Sequence, residues 1–120
     1  MRAVNGVLCA VLALFAIAQY NDPDAVLWFL IYGIPAVWTG IAAFRPELLA
    51  QNRLLQGALG VSLIFALLGS IYMWPSELST WWDNEEVREG LGLIMVTLAL
   101  LIVAYSGWRA RQTRSPAVAT

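Results

Sequence analysis

Ala25–Phe44 reads AVLWFLIYGIPAVWTGIAAF, twenty residues without one charged side chain. At 1.5 Å per residue such a helix is about 30 Å long, the thickness of a bilayer's hydrocarbon core. A soluble amphipathic helix would show a polar stripe at a period of 3.6, and this stretch has none. It therefore predicts a helix that crosses a membrane. Pro35 lies in its middle. Proline has no N–H, so the Ile31 carbonyl loses its usual donor and a kink is expected. It reads either as a hinge or, more simply, as a static bend of the kind membrane helices tolerate. Trp38 falls deep in the same stretch and should face the bundle, or a partner able to accept its N–H.

Working outward, three further uncharged runs qualify as spans: residues 3–20, 54–74 and about 90–108. The whole composition agrees. Of 120 residues, 60% are hydrophobic and 12% charged, against roughly 45–50% and about 25% in an ordinary soluble domain. Fifteen charged residues cannot cover the surface of a small soluble protein, and a bilayer removes that requirement. A net charge of −1 gives no bulk field for nucleic acid. The absence of His rules out bis-histidine haem ligation and argues against most zinc sites. Cys9, the single cysteine, can form neither an intramolecular disulfide nor a Cys-x-x-Cys pair. No organic cofactor is indicated.

Short polar segments (21–24, 45–53 and 75–89) join the runs, so the expected fold is all-α: one domain, 1–120, folded as a four-helix transmembrane up-down bundle. The first run also has features of a signal peptide, with Arg2, an apolar stretch and Ala16-Ile17-Ala18. The following Asn21-Asp22-Pro23-Asp24 reads better as a turn between two retained helices. Six of the seven arginines (Arg2, Arg45, Arg53, Arg109, Arg111 and Arg114) fall on one side of such a bundle, and only Arg88 on the other. The positive-inside rule then gives N-in/C-in, in the inner membrane of a bacterium. Tyr20, Trp28, Tyr72, Trp74, Trp81 and Trp82 are expected at the outer interface, with Tyr105 and Trp108 at the inner one.

Lipid gives helices no hydrophobic reason to associate, so small residues matter for packing. Gly6, Ala10, Ala13 and Ala16 form one such stripe. Gly60, Ser62, Gly69 and Ser70 form another, and Gly90, Gly92 and Thr97 a third. Alanine is also simply common in membrane helices, so the stripes stand as candidates.

Two acidic clusters fall on the outer side. In the first, Asp22 can cap the second helix, Pro23 fits the first helical position, and Asp24 sits where the helix dipole favours negative charge. Asn21 can take the left-handed conformation that ends the first helix. In the second, Asp83 and Glu86 have capping-box spacing. Glu85 and Glu89 share a helix face with Gly92, and Arg88 can pair with Glu85. Carboxylates this close repel unless a cation or a shared proton intervenes. If the first and fourth helices are neighbours, the clusters could meet, and the oxygens of Asp22, Asp24, Glu85, Glu86 and Glu89 would suit a divalent cation such as calcium or magnesium. The simpler account is solvated acids capping two helices. Residues 76–82, with Trp81-Trp82, form a weak amphipathic stretch that could lie in the interface.

Two blocks carry a family likeness. Gln19-Tyr20-Asn21-Asp22-Pro23-Asp24 followed by Trp28, Tyr32, Pro35 and Ala36 resembles the transmembrane protein 220 family, and so does Glu85-Glu86-Val87-Arg88-Glu89 followed by Gly92-Leu93. The resemblance covers the first, second and fourth spans. It implies a small multi-span membrane protein of a family with no assigned reaction. It draws attention to Asn21, Asp22, Asp24, Trp28, Tyr32, Glu85, Glu86, Arg88 and Glu89 without giving any of them a catalytic role.

The favoured function is a non-enzymatic membrane protein whose outer acidic site binds a cation, a lipid headgroup or a partner protein, which includes a second copy of itself. The alternatives are a small transporter or channel subunit, or an accessory subunit of a membrane complex. Ion pathways generally carry intramembrane charge, and these spans hold none. Asn5, Gln19, Tyr32, Thr39, Ser62 and Thr97 are few groups for a proton relay. An enzyme using Glu85, Glu86 or Glu89 as acid and base is the least favoured, because no nucleophile–His pair, phosphate loop or metal triad accompanies them.

Overall fold

The computed structural model describes residues 2–21, 23–73 and 85–119. The side chains of 85–88 and 113–119 lie outside the description. Helix α1 spans Arg2–Ala18 and ends in a 3₁₀ turn, Gln19–Asn21. It is followed by α2 (Ala25–Phe44), α3 (Pro46–Gln51), α4 (Arg53–Tyr72) and α5 (Glu85–Ala119). No strand occurs among the described residues. Among the described residues, four helical stretches are long and apolar enough to cross a membrane: Arg2–Asn21, Ala25–Phe44, Arg53–Tyr72 and Glu89–Gln112. They fall within a few residues of the expected spans.

Three local expectations need correction. The segment 45–53 is not plain loop, since it contains α3. Pro46 occupies the first turn and Glu47 follows, which suits proline's fixed φ and the dipole's preference for an acid. Asn52 then caps α4, its Oδ1 accepting from the N–H groups of Leu54 (3.0 Å) and Leu55 (3.2 Å). Secondly, Asn21 is not left-handed, because no described non-glycine residue has positive φ. The 3₁₀ turn supplies partners for the last carbonyls of α1 instead. Thirdly, the N-cap of α2 is Asp24, with no side-chain cap bond. Its backbone carbonyl accepts from Trp28 N–H at 3.1 Å. Asp22, the expected cap, lies outside the described residues. Helix α5 runs on to Ala119, well beyond the expected end at 108.

The second and fourth spans, α2 and α5, form the centre. They lie parallel in contact, with α1 packed on α2 and α4 on α5. Against α1, α2 comes close where side chains are small: a Cβ on Gly40 would lie 3.4 Å from Cys9 Sγ, and one on Gly6 would lie 4.0 Å from Ala43 Cβ. Leu12 and Ala16 are buried in that seam, whereas Ala10 is exposed. Gly60 has nothing within 4 Å of its would-be Cβ, so the small-residue stripe on α4 is only partly a contact. The outer surface is apolar, with Val7, Leu14, Ile17, Val26, Phe65 and Ile71 all exposed. Lipid, not water, is the solvent that accepts such a surface.

Hydrogen bonds tie the helices together inside this shell. Asn5 Nδ2 donates to Ser106 Oγ (2.9 Å), Trp38 Nε1 to Ser62 Oγ (3.2 Å), and Ser70 and Thr97 share a bond of 2.8 Å. The expectation that Trp38 faces the bundle holds. Helix α2 continues through the buried Pro35, and the Thr39 hydroxyl donates to the carbonyls of Pro35 and Ala36.

At one end of the bundle Arg2 Nε donates to the Ala43 carbonyl at 2.6 Å, where cations suit the end of a helix. Arg45 pairs with Glu47 at 2.6 Å and holds its carboxyl below the usual carboxylate range. Arg109 lies 6.0 Å from the Tyr105 ring, which stacks on Trp108. This is the arginine end. The starts of α2 and α5 make the opposite, acidic end.

Candidate functional site

The positions of the two acidic segments follow from how α2 and α5 are registered. Gly92 on α5 meets Tyr32 on α2. Deeper, Asn5 of α1 bonds Ser106 while its neighbour Gly6 faces Ala43, so Ser106 stands level with the last turn of α2. Two parallel helices of equal rise keep that register along their length. Carried back toward the acidic end, it sets Asp24 at the height of residues 85–89, on a touching helix. In-contact helix axes are about 8–10 Å apart, within side-chain reach.

Tyr32 fixes this pairing. It is 7% exposed. Its ring makes an edge contact with Phe15 of α1 (centroids 5.6 Å apart, planes at 79°) and a tilted one with Trp28 (6.0 Å, 35°). Its hydroxyl occupies the space that a Cβ on Gly92 would need. Glu89 is half-buried on α5, one helical turn above Leu93. Trp28 is itself 3% exposed, which corrects its expected place at the interface. Large rings one turn apart on α2 fill the space between α1 and α5, so Trp28 turns inward. Tyr20 and Tyr72 do face outward. Trp74, Trp81, Trp82 and the stretch 76–82 lie outside the described residues.

Of the sequence-predicted site residues, Asn21 and Asp24 are exposed at the head of α2, Trp28 and Tyr32 are buried below them, and Glu89 is half-buried on α5. Glu85, Glu86 and Arg88 occupy the first turn and a half of α5, and their side chains, like all of Asp22, fall outside the description. Among the described residues no group of three or more His, Cys, Asp or Glu side chains gathers as a metal-ligand set. The expected meeting of the first and fourth spans needs revision. The fourth span's main neighbours are α2 and α4, and its tie to α1 is the Asn5–Ser106 bond at the arginine end. The start of α5, like the head of α2, lies at the end of the bundle opposite the arginines. Phe15 carried no signal in the sequence as a partner for Tyr32. Gly107 likewise gave no hint that its would-be Cβ would lie 3.3 Å from Leu49 Cβ on α3.

Fold and site together define a multi-pass helical integral membrane protein, held in a lipid bilayer, whose two central helices present acids at one common end. The chain belongs to transmembrane family 220: the family model, described as "Transmembrane family 220, helix", matches residues 11–105, which takes in the third span as well as the other three. It is also similar to "Transmembrane protein 220" of Xenopus laevis, with 33% identity over 107 residues, covering 84% of this chain and 56% of that protein. The chain thus spans little more than half the length of this relative. No solved structure matches the chain.

Proposed function

We propose that this chain is a non-enzymatic membrane protein, N-in/C-in, whose acidic outer end binds a cationic group. The site comprises the Asn21-Asp22-Pro23-Asp24 turn and residues 85–89. The observation that carries the reading is the shared height of Asp24 and residues 85–89 on touching parallel helices. Glu89 adds to it, being half-buried on α5. A nearby cation favours the charged form of such a carboxylate. Among the cations the oxygens could accept, an organic ammonium asks for fewer ligands than calcium, which takes six to eight oxygens.

The interior argues against a transport path as the alternative. Asn5, Trp38, Ser62, Ser70, Thr97 and Ser106 are engaged in bonds between helices, and between Glu89 at one end and the arginines at the other the described spans carry no charged side chain. The Xenopus relative gives no support to a bacterial inner membrane in particular, so the proposal specifies orientation and not organism.

Two measurements test it. Thermal unfolding of the detergent-solubilised protein should shift upward in millimolar ethanolamine, calcium or magnesium, and the shift should vanish in the Glu85→Gln/Glu86→Gln/Glu89→Gln protein. No shift with any of the three cations refutes the site. For orientation, cysteines placed at Asn21 and at Gln51 in a Cys9→Ala background should differ in cells. An impermeant maleimide should label the first and not the second, and the reverse pattern overturns N-in/C-in.

A further inference from the structure

Near the acidic end, α2 and α4 stand apart over α5 and leave an apolar groove of about 470 Å³, a volume in the range of small-ligand sites. It begins at Leu27 and Met73 and ends at Pro35, Val61 and Leu100. Those limits span about 10–18 Å along the three helices at 1.5 Å per residue. Half of a bilayer's hydrocarbon core is about 15 Å. The groove therefore covers one leaflet, from the headgroup boundary to the midplane. Its deep end is closed by a bond, since Trp38 Nε1 on α2 reaches Ser62 Oγ on α4 at 3.2 Å. A transmembrane helix from a partner or a second copy would need a seat running the full thickness, about twice this length. A single acyl chain of the adjoining leaflet needs only this one. At the mouth, Glu89 lies one turn above the groove-lining Leu93 on α5 and puts a carboxylate at headgroup depth.

We propose that the groove holds one acyl chain of a phospholipid with a primary-amine headgroup, its ammonium placed against Glu89. This rests on the acidic end's reading as a cation site and narrows it to a lipid. The chain matches the groove in length and polarity, and the ammonium matches the carboxylate in charge. An anionic headgroup at the same place would meet repulsion.

The test uses native mass spectrometry of the full chain, released from mixed micelles holding equal amounts of phosphatidylethanolamine and phosphatidylglycerol with identical acyl chains. The expected spectrum shows one retained lipid per protein, with the amine lipid preferred by about fivefold, the scale of one well-placed exposed ion pair. Ile34→Trp and Val61→Trp fill the groove from half-exposed positions on its walls and should abolish retention. Val37→Trp, on lipid-facing surface outside the groove, should leave it intact, and unchanged circular dichroism and melting verify that the variants fold. Glu89→Gln should retain a lipid but lose the preference between headgroups. Retention that survives both tryptophans overturns the groove, as does a dimer without lipid. Retention lost to the tryptophans but without headgroup preference in the unsubstituted protein overturns the ammonium contact. A cation-dependent melting shift in a protein that retains no lipid leaves the acidic site standing and removes this proposal alone.

Discussion

Adding one methyl group at Gly92 should push the two central helices apart. A Cβ there would overlap the Tyr32 hydroxyl and lie 3.1 Å from Cζ and 3.5 Å from Cε1 of the same ring. A long flexible side chain could swing away, but this ring is held by Phe15 on one side and Trp28 on another and is buried. Forcing an extra carbon into a packed site costs about 1–3 kcal/mol. Alanine's better helix propensity offsets at most about 0.5–1 kcal/mol of that. Gly92→Ala should therefore destabilise the protein by about 1–2 kcal/mol. Tyr32→Phe removes the overlapping atom and leaves Cζ at 3.1 Å, a contact that a shift of a few tenths of an ångström relieves, so in its presence Gly92→Ala should cost less. The coupling between the two substitutions should be about 1 kcal/mol or more, the size seen for residues in direct contact. Reversible unfolding in mixed micelles, followed by helix ellipticity, measures all four corners of the cycle. Additive effects, or a Gly92→Ala protein as stable as the original, would refute the contact and the register built on it.

Three further outcomes are expected. Asn5→Ala removes a bond to Ser106 at full burial and should cost about 0.6 kcal/mol, at most about 1.7, the range for such bonds between membrane helices. Unfolding in the same micelles reads it, and Ser106→Ala should add nothing further to it. Leu49→Ala should free α3 from α5, because Leu49 is 1% exposed and sits against Gly107. Amide exchange over Pro46–Gln51 should quicken while exchange in α2 stays unchanged, and equal exchange in both would refute the docking. The carboxyl of Glu47, lowered chiefly by its hydrogen bond from Arg45, should titrate below the usual carboxylate range by carbon NMR. A lowered folded value stabilises above the unfolded pKa, and that contribution fades as pH falls through the folded value. Both side chains are exposed (65% and 43%), so the effect on stability should be small. Arg45→Gln should raise the midpoint toward the usual carboxylate range.

The spans were legible in the sequence because lipid imposes a length and a polarity that no other environment demands, and runs such as Ala25–Phe44 state both outright. The inward turn of Trp38 was legible for the same reason, since a buried N–H must find an acceptor. Helix α3 was signalled by Pro46 and Glu47 but is only six residues long. A run that short has no periodicity to read, and what holds it includes one leucine against a distant glycine and the Gln56 amide donating to the Leu49 and Ala50 carbonyls. Trp28 shows the limit on the other side. An aromatic near a span's end satisfies the rule for interfacial rings whether it points outward or inward, and only the space beside Phe15 and Tyr32 decides which. The acidic site is half legible. Topology puts both segments at one end of the bundle, whereas their closeness depends on which helix neighbours which, and periodicity does not state that.

The pairing of α2 with α5 has a consequence for any function at the acidic end. Helices α2 and α5 are parallel, so no tight turn can join them, and the connection runs through α3, α4 and the residues after Tyr72. A short loop fixes the register of the antiparallel pair α1 and α2, but nothing comparable fixes α2 against α5. Their relative height must come from side chains, and Tyr32 against Gly92 is one such contact toward the acidic end. A slip of one helical turn moves Glu89 by about 5.4 Å. That exceeds the tolerance of a hydrogen bond, for which donor and acceptor must lie within about 3.2 Å. A ring seated on a glycine resists such a slip in a way that two facing leucines do not, because the ring's tip has one place to go. The residues that set the geometry of the acidic end are therefore apolar or uncharged and lie below it. Substitutions at Tyr32 and Gly92 should change cation binding without touching a carboxylate.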